Sequence, residues 1–298
     1  MIKADLNRKI SEIIAQKEAP GAAISMIKEG QVIFDGCYGF RDLKRRLPVT
    51  CETIFESSSL TKAFTATALL IASEEGRVDL ARPINAQKQL LILNDEKATR
   101  EISLIDVLSH TTGMAANDML WYLADEKPID LMRSIRHLEL IPDAFKKNFN
   151  YCNTMYAAVA NLFDQIVGKN WESYLAEKIL TKLEMNATSF RPHQNEKDVA
   201  LPYVSGKLAK RINVSNIAGA AAIRSNLSDL SRWVAFLLNP KGILSKTSVD
   251  NMFSPHAKTV AVNPLFLQGL EWLGETFDYG LGWFIGSVKG KRAIFHMG

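Results

Sequence analysis

A serine and a lysine three residues apart occur twice in this chain, as Ser25 with Lys28 and as Ser59 with Lys62. A serine hydroxyl is a weak nucleophile until a neighbouring base takes its proton. A lysine can be that base only when it is neutral and within hydrogen-bond reach. Positions i and i+3 share a helix face, so such a pair meets there; along a strand they point to opposite faces. Ser25 and Lys28 lie in a β-like run and are set aside. Ser59 and Lys62 open a run over 60–75 that is rich in alanine and leucine, apolar nearly all round and closed by Gly76. That pattern reads as a buried helix with a glycine C-cap. A serine at its start would sit among the unpaired N–H groups of the first turn, which favour developing negative charge. Taken alone, the pair also describes an N-capping serine followed by a solvated lysine.

The elements that must position this pair follow from patterning. Leu6, Ile10, Ile13 and Ile14 predict an amphipathic helix over 5–17 that stops before Pro20-Gly21. Two β-rich runs, 22–28 and 31–40, joined by Glu29-Gly30, read as a hairpin. Residues 80–200 look mainly helical, with a helix start near Ser103 and Asp106 and further helices over 154–169 and 171–183. The tail returns to a helix at 228–238 and strand-like runs at 279–288 and 291–296. Strands at both ends with helices between suggest one sheet assembled from both ends of the chain. Residues 1–80 together with 215–298 would form the lobe carrying the sheet and the Ser59 helix. Residues 81–214 would form a mainly helical second lobe, the two making one catalytic unit.

Composition narrows the function classes. Thirty-six basic and 32 acidic residues leave a net charge of +4. The nearest thing to a basic cluster is Arg41 with Lys44-Arg45-Arg46, which reads as a solvated loop, so no nucleic-acid partner is expected. Cys37, Cys51 and Cys152 are too few to suggest a disulfide framework. His110, His137, His193, His256 and His296 are scattered without ligand spacing, so neither metal nor cofactor is implied. There is no run of 18 apolar residues and no apolar signal core at the N-terminus. The expectation is a protein without a membrane span, cytoplasmic or exported with its leader removed. Its oligomeric state is left open.

The segment from Phe55 to Ala66, Phe-Glu-Ser-Ser-Ser-Leu-Thr-Lys-Ala-Phe-Thr-Ala, resembles the nucleophile helix of the class C β-lactamase and penicillin-binding-protein superfamily of serine hydrolases. Two partner motifs of Ser-x-x-Lys enzymes, Ser-Asp-Asn and Lys-Thr-Gly, are absent. In their place stand Ser228-Asp229-Leu230, Lys246-Thr247-Ser248 and Lys258-Thr259-Val260. The class C branch and its esterase-like members instead resemble this chain through Tyr-x-Asn and His-x-Gly, found here in order as Tyr151-Cys152-Asn153 and His296-Met297-Gly298. Leu108-Ser109-His110-Thr111-Thr112-Gly113-Met114, Ala218-Gly219-Ala220-Ala221 and Tyr279-Gly280-Leu281-Gly282-Trp283 are further landmarks similar to that family.

The resemblance implies an α+β, β-lactamase/transpeptidase-like fold, with an antiparallel sheet flanked by helices and a mainly helical second lobe that carries Tyr151. It implies that Ser59 attacks a carbonyl while Lys62 and Tyr151 share the proton transfers, either one being the base. A cationic neighbour would favour a phenolate at Tyr151. Asn153 would donate to the substrate's acyl carbonyl or order Lys62, and His296 and Gly298 would line the substrate pocket. The Ser59 backbone N–H would be one oxyanion donor. His110 reads as a turn residue, and Cys152 as a small residue facing away from the site. Relatives continue past His-x-Gly, so the chain reads as a C-terminally truncated piece. The expected activity is hydrolysis of a carboxylic ester or amide, esterase-like, on a small ester, lactam or peptide. A β-lactamase or D-amino peptidase, an acyltransferase and a non-catalytic scaffold remain as alternatives.

Overall fold

A computed structural model of the chain describes residues 2–86, 89–122, 128–192, 197–259 and 276–298. His193 and Val260 lie outside the described residues. Contacts gather the chain into two compact units: residues 1–57 with 180–212 and 223–241, and residues 58–179 with 213–222 and 242–298. Ser59 and Tyr151 therefore fall in the same unit, a different grouping from the expected lobes.

The first unit opens with helix α1 (Ile2–Gln16), which precedes the antiparallel strands β1 (Gly21–Lys28) and β2 (Gln31–Asp42). Glu29 and Gly30, at φ 53° and 78°, make the tight hairpin turn, because two left-handed residues match the twist of the flanking strands. Strand β3 (Leu47–Pro48) adds to β2 with Phe40 opposite Pro48. The helix Leu227–Leu238, capped by the Asn226 side chain on the Asp229 N–H, packs against β1. Ser25 and Lys28, the pair set aside above, lie on β1 as expected.

The second unit is built around helix α2 (Thr61–Glu74), buried on every side from Thr61 to Ala72. Gly76 at φ 70° closes it, with the Arg77 N–H reaching back to the Ala72 carbonyl, the left-handed helix end expected from sequence. The capping box at Ser103 and Asp106 is also present. Helix α3 (Asp118–Tyr122) reaches α4 (Asn153–Asn161) through Asp118, and α4 and α5 (Ala218–Ala221) carry residues that reach α2. A Cβ on Gly219 would come within 2.3 Å of the Ala160 Cβ and 2.7 Å of the Tyr156 carbonyl oxygen, so α5 sits on α4 at glycine distance. Helix α6 (Lys246–Met252) packs against α2. Strands β4 (Ala257–Thr259), β5 (Phe277–Tyr279), β6 (Phe284–Val288) and β7 (Lys291–Phe295) form an antiparallel sheet in the order β7-β6-β5-β4.

The class is as expected, helices with antiparallel sheets. The strands themselves differ from the single sheet read from sequence. The N-terminal and C-terminal strands form separate ladders, and two short two-stranded ladders complete the set among the described residues. Hydrophobic alternation marks strands but cannot specify which of them pair; one of the short ladders joins Phe55–Glu56 to Arg224–Ser225, far apart in the sequence. The run 279–288 is broken at Gly280–Trp283, where the Gly280 N–H donates to the Trp283 carbonyl and Gly282 turns at φ 79°. The expected helix 154–169 likewise breaks at Leu162 into Asn153–Asn161 and Phe163–Val167.

Candidate active site

Ser59 lies in a single 3-10 turn, Ser58–Leu60, immediately ahead of α2. It is half-buried. Lys62 follows in the first turn of α2, one helical turn on, where residues three apart share a face, so the two side chains meet. Ser58, at φ 42°, starts the turn from the left-handed region, an uncommon conformation for a residue with a side chain. Lys62 Nζ stands 2.9 Å from Ser59 Oγ, 2.7 Å from Asn153 Oδ1 and 3.2 Å from the Ala220 carbonyl oxygen. Its side chain is fully buried.

Burial lowers the Lys62 pKa to about 7, against the opposing pull of Asp118 and Cys152. The neutral amine therefore lies within reach at neutral pH. In that form it has two N–H bonds and one lone pair. Asn153 Oδ1 and the Ala220 carbonyl can only accept, so they take the two N–H bonds. The lone pair is left facing the Ser59 hydroxyl. The Asn153 amide is oriented by its other end, where Nδ2 donates to Asp118 Oδ1 at 3.0 Å. Of the two roles expected for Asn153, this arrangement corresponds to ordering Lys62.

Tyr151 joins the group through its ring and its hydroxyl. Lys62 Nζ lies 4.6 Å from the ring centroid, near enough for the π face to favour the ammonium form. Burial pushes the Tyr151 phenol well above its ordinary value, although a hydrogen bond with Ser59 acts in the opposite direction and Asp118 adds to the rise. The phenolate expected from sequence is thus disfavoured. Desolvation is the largest of these influences, and the Lys62 amine lies over the ring and itself sits close to neutrality.

His296 has both ring nitrogens committed. Nδ1 lies 2.7 Å from the Met297 carbonyl oxygen and Nε2 lies 3.0 Å from the Tyr279 hydroxyl. A carbonyl can only accept, so the network assigns the proton to Nδ1, and Nε2 accepts from Tyr279. Burial, reinforced by Lys62, lowers the His296 pKa to about 3, so the ring is neutral. It lies 6.3 Å from the Tyr151 ring, centroid to centroid. Gly298 is exposed, and no contact places it within the Ser59 cluster.

Two residues of the site were not read from sequence. Asp118, on α3, holds the far end of Asn153. His110, at φ 60° in the expected turn, holds the Tyr151 segment at two points: Nδ1 accepts the Cys152 N–H at 3.1 Å, and its carbonyl accepts the Asn150 N–H at 2.8 Å. Its ring packs 4.4 Å from the Tyr151 ring. The left-handed tolerance of histidine at a turn is the available sequence signal, and it says nothing of a residue 42 positions away. Cys152 is buried, and burial raises its thiol to about 11, which suits a packed residue rather than a nucleophile. Among the described residues no group of three His, Cys, Asp or Glu could hold a metal ion, and no helix is long and apolar enough to cross a membrane.

The family model "Beta-lactamase" matches residues 6–298. The chain belongs to this Beta-lactamase family. It is similar to the Protein flp of Staphylococcus aureus (strain MRSA252), 25% identical over 234 residues, covering 74% of this chain and 46% of that protein. It is also similar to the Unguisins hydrolase ungD' of Aspergillus campestris (strain IBT 28561), 25% identical over 319 residues, covering 98% of this chain and 57% of that protein. Among solved structures, the octameric penicillin-binding protein homologue from Pyrococcus abyssi superposes with a TM-score of 0.82 at 26% identity, over 99% of this chain and 68% of that one. The chain thus has the Beta-lactamase-family serine hydrolase fold, and it spans about half the length of the curated relatives it matches.

Proposed function

We propose that the protein hydrolyses a carboxylic ester or amide through an acyl-enzyme on Ser59, with Lys62 as the first proton acceptor. The observation that carries this reading is the buried Lys62 amine 2.9 Å from Ser59 Oγ, its other two contacts both acceptors. In the proposed reaction Ser59 Oγ attacks the carbonyl carbon as its proton passes to Lys62 Nζ. The tetrahedral oxyanion is received by donors that include the Ser59 backbone N–H. The proton then passes to the leaving alkoxide or amine, by way of Lys62 or the protonated Tyr151 phenol. Water attacks the acyl-enzyme in a second round of the same transfers and releases the acid.

A neutral ester is the favoured substrate class. A penicillin or a D-amino peptide presents a carboxylate, and the His-x-Gly segment offers it a histidine that burial keeps neutral. The hydrolase name of the Aspergillus relative supports hydrolysis over a scaffold role. The test is intact-mass measurement after incubation with activated neutral esters and with a penicillin. Expected is a transient acyl increment from the esters, mapped to the Ser59 peptide and absent in Ser59→Ala. Absence of any increment overturns the enzymatic reading. A long-lived penicillin adduct with no ester turnover favours a penicillin-binding role. Loss of ester without free acid when an alcohol is supplied favours acyl transfer.

A further inference from the structure

Outside this cluster, the first unit brings two thiols together. Cys37 lies on β2 and Cys51 in the turn after β3. The pairing of Phe40 with Pro48, carried three residues further along, sets Cys37 opposite Cys51, and the Val49 N–H bond to the Gly39 carbonyl continues the ladder in that direction. Their Sγ atoms are 3.2 Å apart. Both residues are half-buried, whereas Cys152 is fully buried.

The backbone on both sides is already fixed. Cys37 is paired with Ala23 across the β1–β2 hairpin. The Cys51 carbonyl accepts the N–H groups of Leu227 and Ser228, and the turn is closed by the Thr53 N–H on the Thr50 carbonyl. A disulfide needs its sulfurs about 2.05 Å apart, so closure asks for about 1 Å of approach, within the range of small side-chain rotations.

We infer that Cys37 and Cys51 are a dithiol site that a low-molecular-weight disulfide such as oxidised glutathione converts to an intramolecular disulfide. In the first step the Cys51 thiolate attacks one sulfur of the small disulfide and expels one thiolate, leaving a mixed disulfide on Cys51. Cys37 then gives up its proton and attacks the Cys51 sulfur, expelling the second thiolate. Two protein thiols and one small disulfide become one protein disulfide and two small thiols. Cys37 acts second because burial, then the neighbouring Cys51, pushes its thiol up to about 12, and the thiolate is the attacking species. The product would tie β2 to the segment that receives the start of the helix Leu227–Leu238.

The test is to incubate the full chain with oxidised glutathione, block remaining thiols by alkylation, and map peptides without reduction. Expected is a Cys37–Cys51 linked peptide, reversed by dithiothreitol, with Cys152 modified only after denaturation. Cys37→Ser is expected to accumulate a glutathione adduct on Cys51. The oxidised wild type is expected to melt higher than the reduced protein, because the link shortens the unfolded chain's free loops. Independent glutathione adducts on both cysteines without a linked peptide overturn the inference, as do links only between molecules. So does a lower melting temperature on oxidation, which would show that the sulfurs cannot close without distorting the strands.

Discussion

At the scale of single residues, the proposed chemistry turns on how burial treats an amine. Lys62 loses its hydration inside the second unit and keeps three contacts in exchange. Its pKa of about 7 gives two linked expectations. A base must be unprotonated to act, so kcat/KM for a neutral ester should rise as pH increases through about 7 and level off above it, read from a pH–rate profile. For stability, the folded chain gives up the Lys62 proton near pH 7 while the unfolded chain keeps it to the ordinary lysine value of 10.5. Between those values unfolding takes up a proton, so stability should rise with pH, by at most about 1.4 kcal/mol per pH unit from this residue. Urea titrations at several pH values should show the slope in the wild type and its loss in Lys62→Met. His110 acts one step removed, as a positioning residue for Tyr151. His110→Phe keeps a ring but leaves the buried Cys152 N–H without its acceptor. A small displacement of a reacting group can cost about 10²-fold in rate, so kcat should fall by about 10- to 100-fold with KM little changed. His110→Asn, which tolerates the left-handed backbone and restores an acceptor, should recover part of it. Ser59 with Lys62 was legible in the sequence because one local turn brings them together. The anchoring of Asn153 by Asp118 and of Cys152 by His110 was not, because each depends on chain segments that meet only after folding.

At the scale of elements, the buried helix and its glycine cap were readable because an all-round apolar face permits only an interior position. The breaks at Leu162 and at Gly280–Trp283 were not. A periodic pattern averages over several residues, and a one-residue interruption leaves it almost unchanged. The Gly280–Trp283 break has a packing cause. A Cβ on Gly282 would approach the Lys62 carbonyl oxygen to 2.9 Å, and one on Gly280 the Met252 carbonyl oxygen to 2.2 Å. Gly219 is the same kind of contact at α5. Its carbonyl accepts the Thr65 hydroxyl at 2.8 Å, and the next carbonyl, that of Ala220, accepts from Lys62. Gly219→Ala should push α5 off α4, destabilise the protein by roughly 1–3 kcal/mol, and lower ester turnover more than Ser59 accessibility would explain. Ala160→Gly removes the nearest obstructing atom, so the double substitution should restore part of the melting temperature lost in the single one. Full additivity of the two changes would show that the Gly219–Ala160 approach is not what sets α5.

At the scale of the whole molecule, the chain does not build the site from a continuous stretch. The lobes expected from sequence followed runs of like secondary structure, which are poor guides to contact when a chain returns to a unit several times. The second unit is assembled from 58–179, 213–222 and 242–298. The first of these segments supplies Ser59, Lys62, His110, Asp118, Tyr151 and Asn153, every side chain of the proposed proton transfers and their supports. The second supplies the Ala220 carbonyl, one of the two acceptors that leave the Lys62 lone pair facing Ser59. The third supplies Phe284, stacked 6.5 Å from the Tyr151 ring, and His296 beside it. A peptide of residues 58–179 would therefore hold the side chains proposed as catalytic without the Ala220 acceptor or the strands that pack the phenol. It should show no ester-derived mass increment on Ser59 under conditions in which the full chain is acylated, and no cooperative melt. Supplying residues 213–298 as a separate peptide should restore labelling only in proportion to a recovered folded signal by circular dichroism. Labelling of the isolated 58–179 peptide at the full-chain rate would instead mean that the Ser59–Lys62–Asn153 contacts suffice, and that Ala220 and the C-terminal strands contribute stability rather than chemistry.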